Sequence, residues 1–259
     1  MKSLYNFKEQ QKNCGETTKI ILCFIFTLTI ITTNLSAQKR LPFEVGETLN
    51  YSVWYNFIKA GHSSMKLVSV DTVNEVSAFY AVSKTRSGNF LDRIFKIRDS
   101  FESWIDRDEL FSHKFKKDIR EGRYKKKYSV VFNYSDSLAI SGDDTTEINQ
   151  PIHDALSIFY YVRAESLWVD RVLPLNHFDN NKFRPYNIIV NRQENVSVPA
   201  GKFKCFVLKP YTEKGSLFKY KGQVTIYISD DQYRLPVMIE SEATIGSMLM
   251  KLESKTYDN

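Results

Sequence analysis

From Gly46 onward the chain alternates apolar and polar residues with a period of two. Leu49, Tyr51, Val53 and Tyr55 share one face of an extended segment, the pattern of a half-buried β-strand. Lys59-Ala60-Gly61 then supplies a turn, and Met65 with Leu67 resumes the alternation as the second arm of a hairpin. The same reading predicts strands over 77–85, 96–105, 110–119, 124–134 and 138–141, then over 186–198, 203–211, 218–229, 237–244 and 248–254. Breakers such as Ser87-Gly88-Asn89, Glu121-Gly122 and Pro199-Ala200-Gly201 separate them at the regular spacing of a meander. The Asn- and Asp-rich stretch 176–182 is expected to be a loop, and Gly246 to allow a bend.

Two segments break the period of two. Residues 89–95 fit a single helical turn between strands. In the second, 153–167, Leu156, Phe159, Tyr160, Arg163 and Leu167 recur at helical spacing behind Pro151, with Asp154 or His153 near the cap. Ala155, Ile158, Val162 and Ala164 widen the apolar stripe until little polar surface is left, so this helix is expected to be enclosed. The fold class that follows is mainly β: a curved antiparallel sheet or half-barrel meander wrapped around one central helix, about 153–167.

The N-terminus has another character. Lys2, Lys8, Lys12 and Lys19 precede the apolar run Ile20–Ile31, then Asn34-Leu35-Ser36-Ala37 and Gln38, the three parts of an export signal cut after Ala37. As a helix the run reaches only about 18 Å at about 1.5 Å per residue, short of a hydrocarbon core of about 30 Å. An uncleaved anchor is disfavoured because Thr27, Thr29, Thr32, Thr33 and Asn34 dilute it. Lipidation is not expected, since Cys23 lies mid-run behind Leu22. The expectation is a periplasmic or otherwise exported protein with a signal peptide over 1–37, one β-rich domain over 38–259 and no membrane span after signal removal. Of the three cysteines, only Cys205 lies beyond the signal, so no intrachain disulfide is available. Its alternating surroundings mark it as a buried, inert thiol rather than a nucleophile.

Read in order, several short blocks form a pattern. They are Pro42-Phe-Glu-Val-Gly-Glu-Thr-Leu-Asn-Tyr51, Ala60-Gly61, Arg98-Asp-Ser-Phe101, Asp106, Glu121-Gly122, Asp154-Ala-Leu156, Val198-Pro-Ala-Gly-Lys-Phe-Lys-Cys205, Asp230-Asp231 and Leu235-Pro236. The ordered set resembles the bacterial domain-of-unknown-function 3108 family and runs through nearly all of 38–259. That resemblance implies an exported, mostly antiparallel β protein, and it brings no activity or catalytic residue. More distantly, the order of strands, one enclosed helix and more strands is similar to the half-barrels of periplasmic lipoprotein carriers, an analogy of architecture only.

Catalytic motifs are absent. There is no Gly-x-Ser-x-Gly, and the four histidines have no metal-ligand spacing, so neither a metal nor a cofactor is expected. Glu47, Asp99, Glu102 and Asp106 could pair as the acids of a glycan-acting enzyme, but Asp99 reads first as an ion-pair partner of Arg98, Arg93 or Lys96. With a formal net charge of +6 the chain is mildly basic, and its densest positive segment is 114–127. There Lys116, Arg120, Arg123, Lys125 and Lys127 could meet anionic head groups or acidic glycans, or simply protect an edge. Nucleic acid is not an expected partner outside the cytoplasm. The aromatic content leads to the leading expectation, a non-enzymatic protein holding a lipid-like ligand in an apolar cleft between helix and sheet. Leu156, Phe159, Tyr160, Tyr51 and Trp54 would line that cleft. The alternatives are an interaction or scaffold module for an envelope protein and the glycan enzyme.

Overall fold

The computed structural model describes residues 40–211, 224–242 and 247–258. The expected signal peptide and its cut, the first part of the 218–229 strand, the end of the 237–244 strand and the bend at Gly246 lie outside the described residues. From Leu41 onward the chain forms one unit.

The described strands include those that alternation predicts. They are β1 (Glu47–Tyr55), β2 (Ile58–Val73), β3 (Val76–Ser87), β4 (Arg98–Asp106), β5 (Ser112–Glu121), β6 (Tyr124–Asn133), β7 (Leu138–Ser141), β8 (Asp144–Glu147), β9 (Val172–Asp179), β10 (Lys182–Val198), β11 (Gly201–Tyr211), β12 (Val224–Ser229), β13 (Pro236–Glu242) and β14 (Ser247–Tyr257). The two helices are α1 (Asn89–Asp92) and α2 (Ser157–Ala164).

All fourteen strands form one antiparallel sheet in the order β8-β7-β6-β5-β4-β3-β2-β1-β14-β13-β12-β11-β10-β9. The last strand pairs with the first, which joins two meanders into one curved sheet that does not close. Across the gap between the edges, side chains replace the backbone ladder: Lys117 Nζ lies 2.5 Å from Asp179, and Tyr128 donates to Asn181 at 3.0 Å. Asn181 in turn donates to Asp144 at 2.7 Å.

Two strands were missed by alternation. β8 is Asp-Thr-Thr-Glu, polar throughout and at an edge, where no face is buried to impose a pattern. The stretch expected as a loop at 176–182 is the end of β9 and the start of β10, joined through Asn180 and Asn181 at φ 51° and 58°. Asparagine tolerates the left-handed region that a tight hairpin needs.

The enclosed helix is present but shorter than expected. Asp154, wholly buried, accepts from the backbone of Leu156 at 2.7 Å and of Ser157 at 2.9 Å, and Ser103 donates to its other oxygen at 2.5 Å. This network starts the helix about one turn late, so 153–156 reads as a cap rather than as helix. Leu156 and Tyr160 then pack with Leu49, Tyr51, Met65 and Leu252, while Ile158 and Val162 pack with Leu173, Ile188 and Phe206. The helix therefore fills the space between two walls of the same sheet.

A buried ion pair locks it there. Arg163 makes a two-pronged contact with Glu47, 2.6 and 2.9 Å, and also donates to the carbonyls of Pro42 at 3.1 Å and Tyr233 at 3.2 Å. Lys255 lies 3.4 Å from Glu47, and Tyr51 donates to the Pro236 carbonyl at 2.9 Å. One guanidinium thus ties β1, α2, the lead-in and the β12–β13 turn, with the geometric match that makes Arg suited to a carboxylate.

Candidate functional site

Antiparallel strands send alternate turns to opposite ends of the sheet. The β1–β2 turn, the α1 segment between β3 and β4, and the β5–β6 turn share one end, remote in sequence from α2. Here the inward residues become small or flexible: Val53 on β1, Gly61 on β2, Thr85 on β3 and Met250 on β14. They surround an apolar cavity of about 560 Å³, completed by Ile58, Phe90, Leu91, Ile94, Phe95, Ile97 and Met248. That volume is within the range of small-molecule sites.

The scaffold around it is tightly built. A Cβ on Gly61 would stand 2.1 Å from the Arg86 carbonyl oxygen, so only glycine allows β2 and β3 to approach this closely. Ser87 and Arg98 both hydrogen-bond Asp92, Arg98 at 3.0 and 2.5 Å, which clamps the α1 segment onto β3 and β4. The Arg98 guanidinium, followed by the Ser87 hydroxyl, holds the Asp92 carboxyl down at about 2. Gly122, at φ +57°, leaves room for the Phe95 ring, which a Cβ would meet at 2.8 Å.

The rim, by contrast, faces outward. Of the lining residues, Phe90 and Ile94 are 73 % exposed and Ile58 63 %, and Phe57, next to Ile58 in the β1–β2 turn, is 96 % exposed. Isolated exposed apolar residues are ordinary, but a contiguous set around a cavity is the arrangement of a binding surface. Polar character enters through Lys59, Arg86, Asp99 and Glu121, which also line the cavity. Burial, then the charge of Asp99 and a hydrogen bond to it, raises the Glu121 carboxyl above its ordinary range.

The residues expected to line an apolar cleft lie away from this cavity. Leu156, Tyr160 and Tyr51 are buried in the core, and Phe159 packs between its two clusters. Trp54 projects from the opposite face of β1, with Lys251 5.2 Å from its ring. None of the five lines this cavity.

The basic hairpin is split by the pleat. Lys117 turns inward to Asp179, whereas Lys116 lies on the other face, 5.3 Å from the Trp104 ring. Arg120 binds Asp118 at 2.6 Å, Lys127 is 3.9 Å from the same carboxylate, and Arg123 and Lys125 are exposed. Asp99 finds the backbone of Arg120 at 2.8 Å rather than Arg98, whose partner is Asp92.

The other acids considered are spread through the sheet. Glu47 is bound to Arg163, Glu102 accepts from Tyr80 at 2.8 Å, and Asp106 lies 3.0 Å from His113. Cys205 is buried, and burial pushes its thiol up to about 12. Among the described residues no group of three or more His, Cys, Asp or Glu side chains could hold a metal ion, and no helix is long and apolar enough to cross a membrane. What the sequence reading missed is the rim, though a signal existed: Phe57-Ile58 and Phe90-Leu91…Ile94-Phe95 are large apolar residues at or beside turns, where polar residues are the rule.

The family described as protein of unknown function DUF3108 matches residues 50–253. The chain belongs to that family. The DUF3108 match spans the sheet from β1 to β14 and includes α1, α2 and the cavity walls. A β-barrel-like protein of the domain-of-unknown-function 1849 group from Brucella abortus is similar in fold, with a TM-score of 0.52 at 9 % identity over 83 % of this chain and 98 % of that one. A candidate lipoprotein from Parabacteroides distasonis (11 % identity) and an exported protein with a YmcC-like fold from Bacteroides fragilis (12 %) also match over 83 % of this chain and 98 % of theirs, each at a TM-score of 0.33. No curated protein matches the sequence.

Proposed function

We propose that this DUF3108 protein is an exported, non-enzymatic carrier or receptor for a lipid-like ligand, held in the apolar cavity at the open mouth of the sheet. The observation that carries the reading is the cavity of about 560 Å³ ringed by exposed Ile58, Phe90 and Ile94. Burying each methylene of an acyl chain there contributes about 0.8 kcal/mol, so a chain of moderate length would be bound without any special chemistry. The Asp99–Glu121 pair supplies one polar point against which a hydroxyl, amide or carboxyl end could orient. The export signal supports an extracytoplasmic location.

Native mass spectrometry of gently purified protein, with extraction of bound lipid, tests this directly. Displacement of a fluorescent fatty-acid probe gives the affinity. Met250→Trp, which places a large ring in the cavity, is expected to abolish probe uptake while the fold persists. No co-purified lipid together with no probe uptake would sink the reading. A role as a protein-interaction module is supported by the same exposed rim, and in-cell crosslinking from position 90 to one dominant protein would favour it. A glycan enzyme draws its support from Asp99 and Glu121, but these carboxyls are in hydrogen-bond contact, closer than the roughly 5 Å that acid and nucleophile require.

A further inference from the structure

On the outer face of the strands that form the mouth, the register brings basic residues into one row. His62 of β2 is paired with Arg86 of β3, and Arg86 with Arg98 of β4. On β5, the pairings Ser100↔Asp118 and Ile97↔Glu121 put Arg120 opposite Arg98, and Arg120 is paired with Lys125 of β6. Five neighbouring strands thus present His62, Arg86, Arg98, Arg120 and Lys125 at one level, a row about 19 Å wide at about 4.8 Å per strand. The groove beneath it, about 550 Å³, is lined by His62, Lys84, Arg86, Arg98 and Arg120 together with the carboxylates Asp99 and Asp118.

Like charges directly opposite each other in a sheet are destabilising. Local acids neutralise only part of this row: Asp92 serves Arg98, Asp118 serves Arg120, and Glu253 lies 3.6 Å from His62. Arg86 and Lys84 have no ion-pair partner among the described residues, and both are exposed. The row stands beside the apolar rim. Ile58 precedes His62 by four residues on β2, and Phe95 precedes Arg98 by three, a separation of roughly 10–13 Å at about 3.3 Å per residue.

That spacing fits a lipid bilayer. Apolar side chains of a surface-bound protein sink about 5–10 Å past the head groups, which leaves cations 10–13 Å behind their tips within a Debye length, about 8–10 Å, of the phosphates. We propose that the mouth end of this protein docks on an anionic phospholipid surface, with Phe57, Ile58, Phe90 and Ile94 immersed and the row from Arg86 to Lys125 facing the head groups. Docking would place the cavity entrance against the acyl region, so the inference deepens the carrier reading and rests on it for its purpose, while its test is separate.

The test is flotation of the exported, processed protein with vesicles of phosphatidylcholine alone and of phosphatidylcholine mixed with phosphatidylglycerol. Binding is expected to the mixed vesicles and to fall with added salt. With about 1 kcal/mol for each cation near such a surface, the double variant R86Q/R120Q is expected to bind about thirtyfold more weakly. F57S/F90S/I94S, which alters only exposed side chains, is expected to lose about a hundredfold or more. Circular dichroism melts verify that both variants remain folded. Equal binding to both vesicle types, unchanged binding by either variant, or a rim that instead joins two copies into a stable dimer in vesicle-free solution would overturn the docking. Probe uptake in vesicle-free solution reports on the cavity by itself, so uptake without vesicle binding defeats the docking alone, and vesicle binding without uptake defeats the carrier reading alone.

Discussion

The two ends of the sheet use the same alternating strands to opposite effect. At the α2 end the interior is filled: Leu156, Tyr160 and Tyr51 are packed, and a charged pair, Glu47 and Arg163, is buried to tie four segments together. At the mouth only the single turn of α1 borders the space, the inward residues shrink to Gly61, Thr85 and Val53, and large apolar side chains turn to solvent. The contrast teaches where stability and function separate. Filled space and matched charges hold the fold, whereas an unfilled apolar space with an apolar rim is what a ligand or a membrane can complete.

Breaking the filled end should have the largest effect. Arg163→Ala leaves Glu47 buried with only Lys255 beside it, and a stability loss of about 3–5 kcal/mol is expected in urea unfolding. The double replacement E47M/R163M should be milder than the single one, because no charge is then stranded. Should Arg163→Ala prove neutral, the clasp is not what secures α2.

The filled end should also carry a pH dependence. Burial, followed by the nearby His177, lowers the His153 imidazole from 6.5 to about 4. Its folded value is depressed, so the folded state binds fewer protons. The stability it contributes is complete above about 6.5 and is lost as pH falls toward about 4, a difference of about 3 kcal/mol. Denaturant melts across that window should slope, and His153→Phe should flatten them.

A smaller effect is expected in the wall of the mouth. Gly61→Ala puts a methyl against the Arg86 carbonyl, a clash worth about 1–3 kcal/mol as overpacking. It should also reduce probe uptake by parting β2 from β3. Smallest of all is the rim itself: Phe90→Ser should change stability by no more than about 0.5 kcal/mol while weakening probe or vesicle binding. A large destabilisation by Phe90→Ser would mean that the rim is structural and would erase the contrast between the two ends.

Most strands, the enclosed helix and the inert thiol could be read along the chain, since a period of two or of 3.6 is a local property that each segment carries alone. The alternation around Tyr51 and Val53 even assigns their inward face. β8 escaped because an all-polar edge strand has no buried face to announce, and β9 because Asn180-Asn181 was read as a loop rather than as the corner of a hairpin. The candidate site was the least legible part. Both Tyr51 and Val53 point inward, yet one is core and the other lines the cavity.

By itself, then, the sequence determined which residues face inward and which segment is helical. Tertiary structure alone decided that α2 occupies one end and leaves the other empty, that Glu47 meets Arg163 from 116 positions away, and that five strands align their basic residues at one level. The physical reason is that facing is set by the geometry of consecutive residues. Filling, pairing and register depend on which distant segments share a space, and no local period records that.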